Sequence, residues 1–200
     1  MVYISSEFLD INPELQRKFG KTPILSGWHF GTEEIKGLYP SPLPPTIFSK
    51  IFNKHDVPAI IVFDILMCNT DRDNDGNYLI ATHASSGKIY LYVIDHGYCF
   101  GGPNWNDTLL KDPIAPETPN VVKGMANLVD GTDPFRIPLN KLNELSVAQV
   151  EAIISEVPVE WGLAQEEKSA IIEFIMARKK YVGKILEKHE SLFPLWRVRR

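Results

Sequence analysis

Cysteine is nearly absent from this chain: Cys68 and Cys99 are the only two among 200 residues. One pair falls far short of the disulfide framework of a small secreted scaffold, so reduced, structural thiols and a cytoplasmic location are expected. Positive charge is in deficit as well, with 21 Lys and Arg against 25 Asp and Glu and a formal net charge of −4. That balance lacks the basic stripe of a nucleic-acid binder, and the short basic end from Arg197 to Arg200 does not supply one. Long apolar runs are also missing. The longest, residues 57–68, is interrupted by Pro58 and Asp64 and is too short to span a bilayer. Residues 1–7 have neither the charged nor the apolar region of a signal peptide. No nucleic-acid partner and no membrane partner are expected.

What remains is enough for one domain with a sizeable core, since 44% of the residues are hydrophobic. Residues 1–8 suggest a weak strand, and residues 13–20 a short helix with Asn12 as N-cap and Pro13 in its first position. From residue 24 to 45, Gly27, Gly31, Gly37 and four prolines forbid long regular elements. Residues 46–53 read as one short helix. Asp56 is expected to cap a helix to about Asn69 that is apolar round most of its circumference and therefore buried. Residues 78–82 and 89–94 are rich in β-branched and aromatic side chains and are separated by a turn at 85–88, which predicts a β-hairpin. Residues 99–119 read as irregular and 120–129 as a short helix. Ser146 caps a helix ended by Pro158, and one long helix is expected from about residue 164 to 190. The fold class is α+β in a single domain: residues 1–45 irregular, 46–119 a loop-and-hairpin core, 120–200 a helical tail.

Two polar clusters flank the hairpin. The first runs Asn69-Thr70-Asp71-Arg72-Asp73-Asn74-Asp75-Gly76-Asn77, and the second is Ile94-Asp95-His96-Gly97. Asp71, Asp73 and Asp75 at alternate positions before Gly76 imitate the first half of a calcium loop. The closing bidentate Glu is replaced by Thr82, and the flank is a hairpin rather than a helix. As a phosphotransfer site the same residues divide differently. An acid orients the acceptor hydroxyl, then an Asn and a second acid hold magnesium on ATP, in that order along the chain. Asp71 would be that acid at the rim of a buried helix, and Arg72 could neutralise a neighbouring carboxylate or a phosphate. Asn77 and Asp95 stand at adjacent strand ends, a geometry suited to magnesium, which takes few protein ligands. Asp64, isolated in an apolar helix, calls for a buried partner such as Arg72. His96 reads as a hydrogen-bonded turn residue or a contact to a metal-bound phosphate.

The pattern Phe63-Asp64-Ile65-Leu66, then Asn69-Thr70-Asp71-Arg72 and Asn77, then Ile94-Asp95-His96-Gly97 resembles the HipA-like kinases, distant relatives of the phosphatidylinositol 3/4-kinases. Trp28-His29-Phe30-Gly31 is similar to a segment ahead of the catalytic helix in that group. The resemblance implies a kinase-like carboxyl lobe and Mg2+- and ATP-dependent phosphoryl transfer to a hydroxyl of a protein substrate, a Ser or Thr. It assigns Asp71 as the catalytic acid and Asn77 and Asp95 as metal ligands. Where the family often has His after its Asp-Arg pair, this chain has Asp73, and the spacing to the metal-binding Asn varies, so Asn74 competes with Asn77. Kinases of this kind also cover the phosphates with an amino lobe that carries a lysine on a strand. Lys21, Lys36 and Lys50 lie in irregular or helical surroundings and fit no such role. A separate amino-lobe protein or self-association is therefore an expected partner. A catalytically silent, kinase-derived binding module and a calcium-stabilised domain are the competing expectations.

Overall fold

The computed structural model describes residues 1–16, 23–106, 110–115 and 117–197. The chain begins with a two-stranded antiparallel sheet, β1 (Val2–Ile4) against β2 (Gly27–His29), with Tyr3 opposite Trp28. Between them lie α1 (Ser6–Ile11) and α2 (Pro13–Gln16). The expected strand is thus shorter than residues 1–8, because Ser5 caps α1 by accepting the Phe8 N–H at 3.1 Å. Asn12 does not act as the expected side-chain N-cap of α2. Its amide instead donates to the Phe8 carbonyl and closes α1. The rest of the helix expected to residue 20 lies outside the described residues. The Gly- and Pro-rich stretch is irregular apart from β2.

The expected helix at 46–53 is a 3-10 segment, Pro45–Lys50, ended by Ile51 in an extended conformation. Ile51 leaves the helix to pair with Ile89, and Asn53 brackets Leu91 by accepting its N–H and donating to its carbonyl. These bonds cover one edge of the hairpin formed by β3 (Tyr78–Thr82) and β4 (Ile89–Val93). Residues 37–39 cover the other edge, through Tyr39 N–H to Ile80 and Thr82 N–H to Gly37. Both edges are therefore blunted, which protects a two-stranded ribbon from open-edge pairing.

Helix α3 (Val57–Leu66) runs through the core and packs on α5 (Arg136–Glu144) and α8 (Val182–Lys188). Pro58 is tolerated in its first turn, where an N–H would lack a partner anyway. Asp56 does not cap α3 through its side chain. Its carboxylate accepts from Asn53 instead. The tail opens with α4 (Lys123–Ala126), within the helix expected at 120–129. Helix α5 has no counterpart in the sequence reading, since Pro138 obscures it. That proline falls in the first turn and costs no internal hydrogen bond. Helix α6 (Val147–Ser155) follows Ser146, which forms the full reciprocal cap with Gln149.

The long helix expected over 164–190 is two helices, α7 (Gln165–Arg178) and α8. At the junction the backbone tightens, with Lys180 N–H to Ala177 and Tyr181 N–H to Arg178. Two cations anchor the break. Arg178 donates to the Ile65 and Pro113 carbonyls, while Lys179 Nζ donates to Asn143 and Leu145 at 2.9 and 2.6 Å. Those bonds satisfy carbonyls of other elements, α3 included, which a straight helix would not reach. The chain closes with a short parallel pair, β5 (Asp130–Gly131) and β6 (Leu195–Trp196). Phe135, Phe193 and Trp196 meet there edge to face with centroids 5.0–5.9 Å apart. The architecture is mixed helix with small sheets, compatible with α+β. Among the described residues, no helix is long and apolar enough to cross a membrane.

Candidate active site at the end of the buried helix

The site is built by the way α3 stops. The helix was expected to reach Asn69, but it ends at Leu66, because Cys68 takes a left-handed conformation with φ 53°. Asn69 N–H then turns back to the Asp64 carbonyl at 2.8 Å and Cys68 N–H to the Ile65 carbonyl at 3.2 Å. That is the Schellman closure, made here with a cysteine where glycine is usual. It places Asn69 beside its own helix, where Nδ2 donates to Asp64 Oδ1 at 2.8 Å and Oδ1 accepts the Asp71 N–H at 3.2 Å. The turn after Asp95 reinforces the closure. Tyr98 accepts from Thr70 N–H, Phe100 donates to Met67, and Gly101 donates to Cys68.

Asp64 and Arg72 form a buried ion pair, 4% and 1% exposed. Arg72 Nε lies 2.9 Å from Oδ2 and Nη2 lies 3.2 Å from Oδ1. Its remaining nitrogen, Nη1, donates to the Asn77 and Ile94 carbonyls. Arg72 is therefore not available to a phosphate, which corrects that half of the expectation. It pairs with Asp64, as the other half required, and it ties the start of β3 to the end of β4. Ile94 N–H adds a bond to the Asn77 carbonyl at 3.1 Å. Asn77 and Asp95 are consequently held at neighbouring strand ends.

Asp71 is half-buried, and Asn77 fixes its orientation. Asn77 Nδ2 donates to the Asp71 carbonyl and, at 2.7 Å, to Asp71 Oδ2. Among the described residues, no donor is recorded for Asp71 Oδ1 or for the Asn77 side-chain oxygen. Asn74 is placed differently: its Oδ1 accepts the Gly76 N–H at 3.0 Å and its amide reaches Asp71 at 3.4 Å. Between the two candidates, Asn77 has the free oxygen and Asn74 supports the loop. Asp95 is exposed, sits at φ 49°, and accepts the Gly97 N–H at 3.0 Å through Oδ1. His96 packs edge-on against Phe63 with centroids 5.6 Å apart. Desolvation of the ring, with the nearby Arg72 charge, lowers its pKa, so the neutral form is favoured.

The three acids of the calcium-like loop do not converge. Asp75 accepts the Tyr78 hydroxyl at 2.9 Å, and Asp71 is engaged by Asn77. Among the described residues, no three His, Cys, Asp or Glu side chains could share an ion. A buried polar residue that the sequence reading left without a role is Arg178, which closes the far side of the α3 terminus through the Ile65 carbonyl. Its distance in sequence, over a hundred residues, hid that role.

No protein-family model matches the chain, and no solved structure matches it. Over 83 residues it is 32% identical to phosphatidylinositol 4-kinase gamma 3 of Arabidopsis thaliana. That alignment takes in 38% of this chain and spans 14% of the plant protein's length. The match, although partial, gives this chain a distant kinase-like relationship.

Proposed function

We propose that the chain is the carboxyl-lobe portion of a HipA-like kinase, transferring the terminal phosphoryl group of ATP to a Ser or Thr hydroxyl of a protein. The observation that carries this reading is the Arg72 bridge. It holds the carbonyls of Asn77 and Ile94, the residue before Asp95, together, while the Asn77 amide orients Asp71. The donor set is all oxygen, and the free Asn77 oxygen with the exposed Asp95 carboxylate fits magnesium. Bound there, magnesium would neutralise phosphate charge as transfer proceeds. Asp71 presents Oδ1 to the acceptor hydroxyl, orients it and takes up its proton. The Asp71 carboxylate keeps its direction because its other oxygen is already held by Asn77.

The kinase resemblance also calls for a lysine on a strand and a phosphate-covering loop. Among the described residues, no strand carries a lysine. In this reading another polypeptide segment supplies both and docks on the outer hairpin face. Phe52 lies tilted against Tyr90 there, and the Leu38 backbone bridges to Ala81, with the Phe52 and Leu38 side chains nearly half exposed. Self-association through the same face is the other way to cover it. The alternative reading is a catalytically silent binding module.

Calorimetry of the purified chain with ATP, with and without magnesium, tests the reading. Weak, magnesium-dependent binding is expected, lost in Asp95→Ala. Transfer to a protein acceptor is expected to be slow and lost in Asp71→Asn. Nucleotide binding indifferent to magnesium would leave the silent module. Transfer that survives Asp71→Asn would remove Asp71 from its role.

A further inference from the structure

A groove of about 740 Å³ opens directly beside the Asp71 loop. One wall belongs to the 3-10 segment and its approach, with Leu43 and Phe48. The opposite wall is Val121 and Leu128, on either side of α4. Asp73 and Asp75 form its rim on the loop side, and Lys123 also lines it. The walls are locked to each other, since a Cβ at Gly124 would fall 2.5 Å from the Phe48 ring. The loop is pinned to the same body by Asp73 N–H donating to Asn120 Oδ1 at 2.7 Å. The groove is therefore a fixed feature with an apolar floor and an acidic rim.

The two rim carboxylates are not consumed internally. Asp73 is exposed and only its backbone is engaged, while Asp75 accepts one hydroxyl hydrogen bond from Tyr78. Among the described residues, neither forms an ion pair. Two carboxylates face one lysine, so the rim stays negative. A charged side chain at the mouth of an apolar groove gains from an opposite charge and is repelled by a like one, which sets selectivity more than raw affinity. Asp73 lies two residues from Asp71, so the rim begins within about 7 Å of chain from the proposed acceptor acid.

We propose that this groove selects the acceptor: a polypeptide segment with basic residues beside its hydroxyl-bearing residue and an apolar side chain for the floor. The inference rests on the phosphotransfer reading for the meaning of the hydroxyl, but not for the binding itself. Asp73 and Asp75 take the basic side chains, and Leu43, Phe48, Val121 and Leu128 take the apolar one. An anionic acceptor, such as a phospholipid headgroup, meets the same rim as repulsion.

The experiment is fluorescence anisotropy on the whole chain with two labelled serine peptides. One has two arginines before the serine and a leucine after it, and the other has glutamates in place of the arginines. The arginine peptide is expected to bind at least about ten-fold more tightly, with the difference shrinking in salt. Asp73→Asn with Asp75→Asn should erase that preference, and replacing the leucine with serine should weaken binding further. Equal binding of both peptides, or preference for the glutamate peptide, overturns the proposal. So does tighter binding to vesicles of anionic phospholipid, or an arginine preference that survives both substitutions. Magnesium-dependent ATP binding, read separately in the same double variant, tells the two readings apart. If ATP binding fails in the native chain while peptide selectivity holds, the phosphotransfer reading falls and the groove stands. If ATP binds but the peptides are not distinguished, only the groove proposal falls.

Discussion

Arg72 grips Asp64 through two bonds, Nε to Oδ2 at 2.9 Å and Nη2 to Oδ1 at 3.2 Å, in a place almost closed to water. Removing one partner strands the other charge, which typically costs about 3–5 kcal/mol. Arg72→Met and Asp64→Leu are each expected to lower the urea midpoint severely. The double variant should recover a good part of the loss, because neither buried charge then remains alone. Arg72→Lys should fare nearly as badly as Arg72→Met, since an ammonium cannot hold Asp64 and the two strand-end carbonyls at once. If Arg72→Lys unfolds like the native chain, the bridging role of the guanidinium is wrong.

The two asparagines of the loop are expected to separate in a magnesium–ATP titration. Asn77 keeps its side-chain oxygen free while its amide holds Asp71, so Asn77→Ala should abolish magnesium-dependent binding. Asn74 spends its oxygen on Gly76 N–H, so Asn74→Ala should weaken binding by about ten-fold at most, as loss of a supporting contact does. The reverse order would make Asn74 the ligand. Calcium should bind only at about millimolar concentration, because Asp75 is turned toward Tyr78 and Thr82 stands where a bidentate Glu would close the shell.

What was legible has local signals. The polar clusters around Asp71, Asn77 and Asp95 stand out by composition and order, and the hairpin by its β-branched and aromatic residues on either side of a turn, with Tyr78 to Thr82 found at the expected limits. The partner of Asp64 followed from the cost of an unpaired buried carboxylate. What escaped reading depends on contacts between distant segments. The left-handed Cys68 carries no glycine to announce the end of α3, and the bonds from Phe100 and Gly101 that stabilise it come from thirty residues away. The break after Arg178 is similar. Residues 164–190 keep helical spacing throughout, and only the reach of Arg178 and Lys179 to other elements explains the interruption. Arg72 shows the limit most clearly. Its pairing with Asp64 could be read from the sequence, but its bonds to the Asn77 and Ile94 carbonyls, which leave no nitrogen for a phosphate, could not.

The two thiols give a pH dependence. Burial, with the Asp64 charge adding to it, pushes the Cys99 thiol up to about 12, and burial also raises Cys68 against the pull of Arg178. In the unfolded chain both should titrate near their ordinary value of 9.0. From about pH 9 upward the folded state therefore holds more protons than the unfolded one, so stability falls as pH rises through that range. Below pH 9 the thiols contribute no slope. A thiolate-directed reagent at pH 8 should modify neither cysteine in the native chain and both in denaturant. Fast labelling of native Cys99 would contradict its enclosure.

Gly124 and Phe48 set the last test, because two opposing effects meet at one position. Alanine is favoured over glycine inside a helix by roughly 1 kcal/mol, so Gly124→Ala would be mildly stabilising on α4 alone. The added Cβ, however, would fall 2.5 Å from ring carbons of Phe48, which is buried and tilted against Tyr78 with centroids 6.0 Å apart. Overpacking of this kind costs about 1–3 kcal/mol, so the net effect should be destabilising. The ring cannot retreat cheaply, because Tyr78 behind it is tied to Asp75 on the loop. Thermal unfolding should show a lower midpoint for Gly124→Ala, restored by adding Phe48→Leu, which clears the ring. If Gly124→Ala alone raises the midpoint, α4 and the 3-10 segment are not in the contact described, and the groove between them is not rigid.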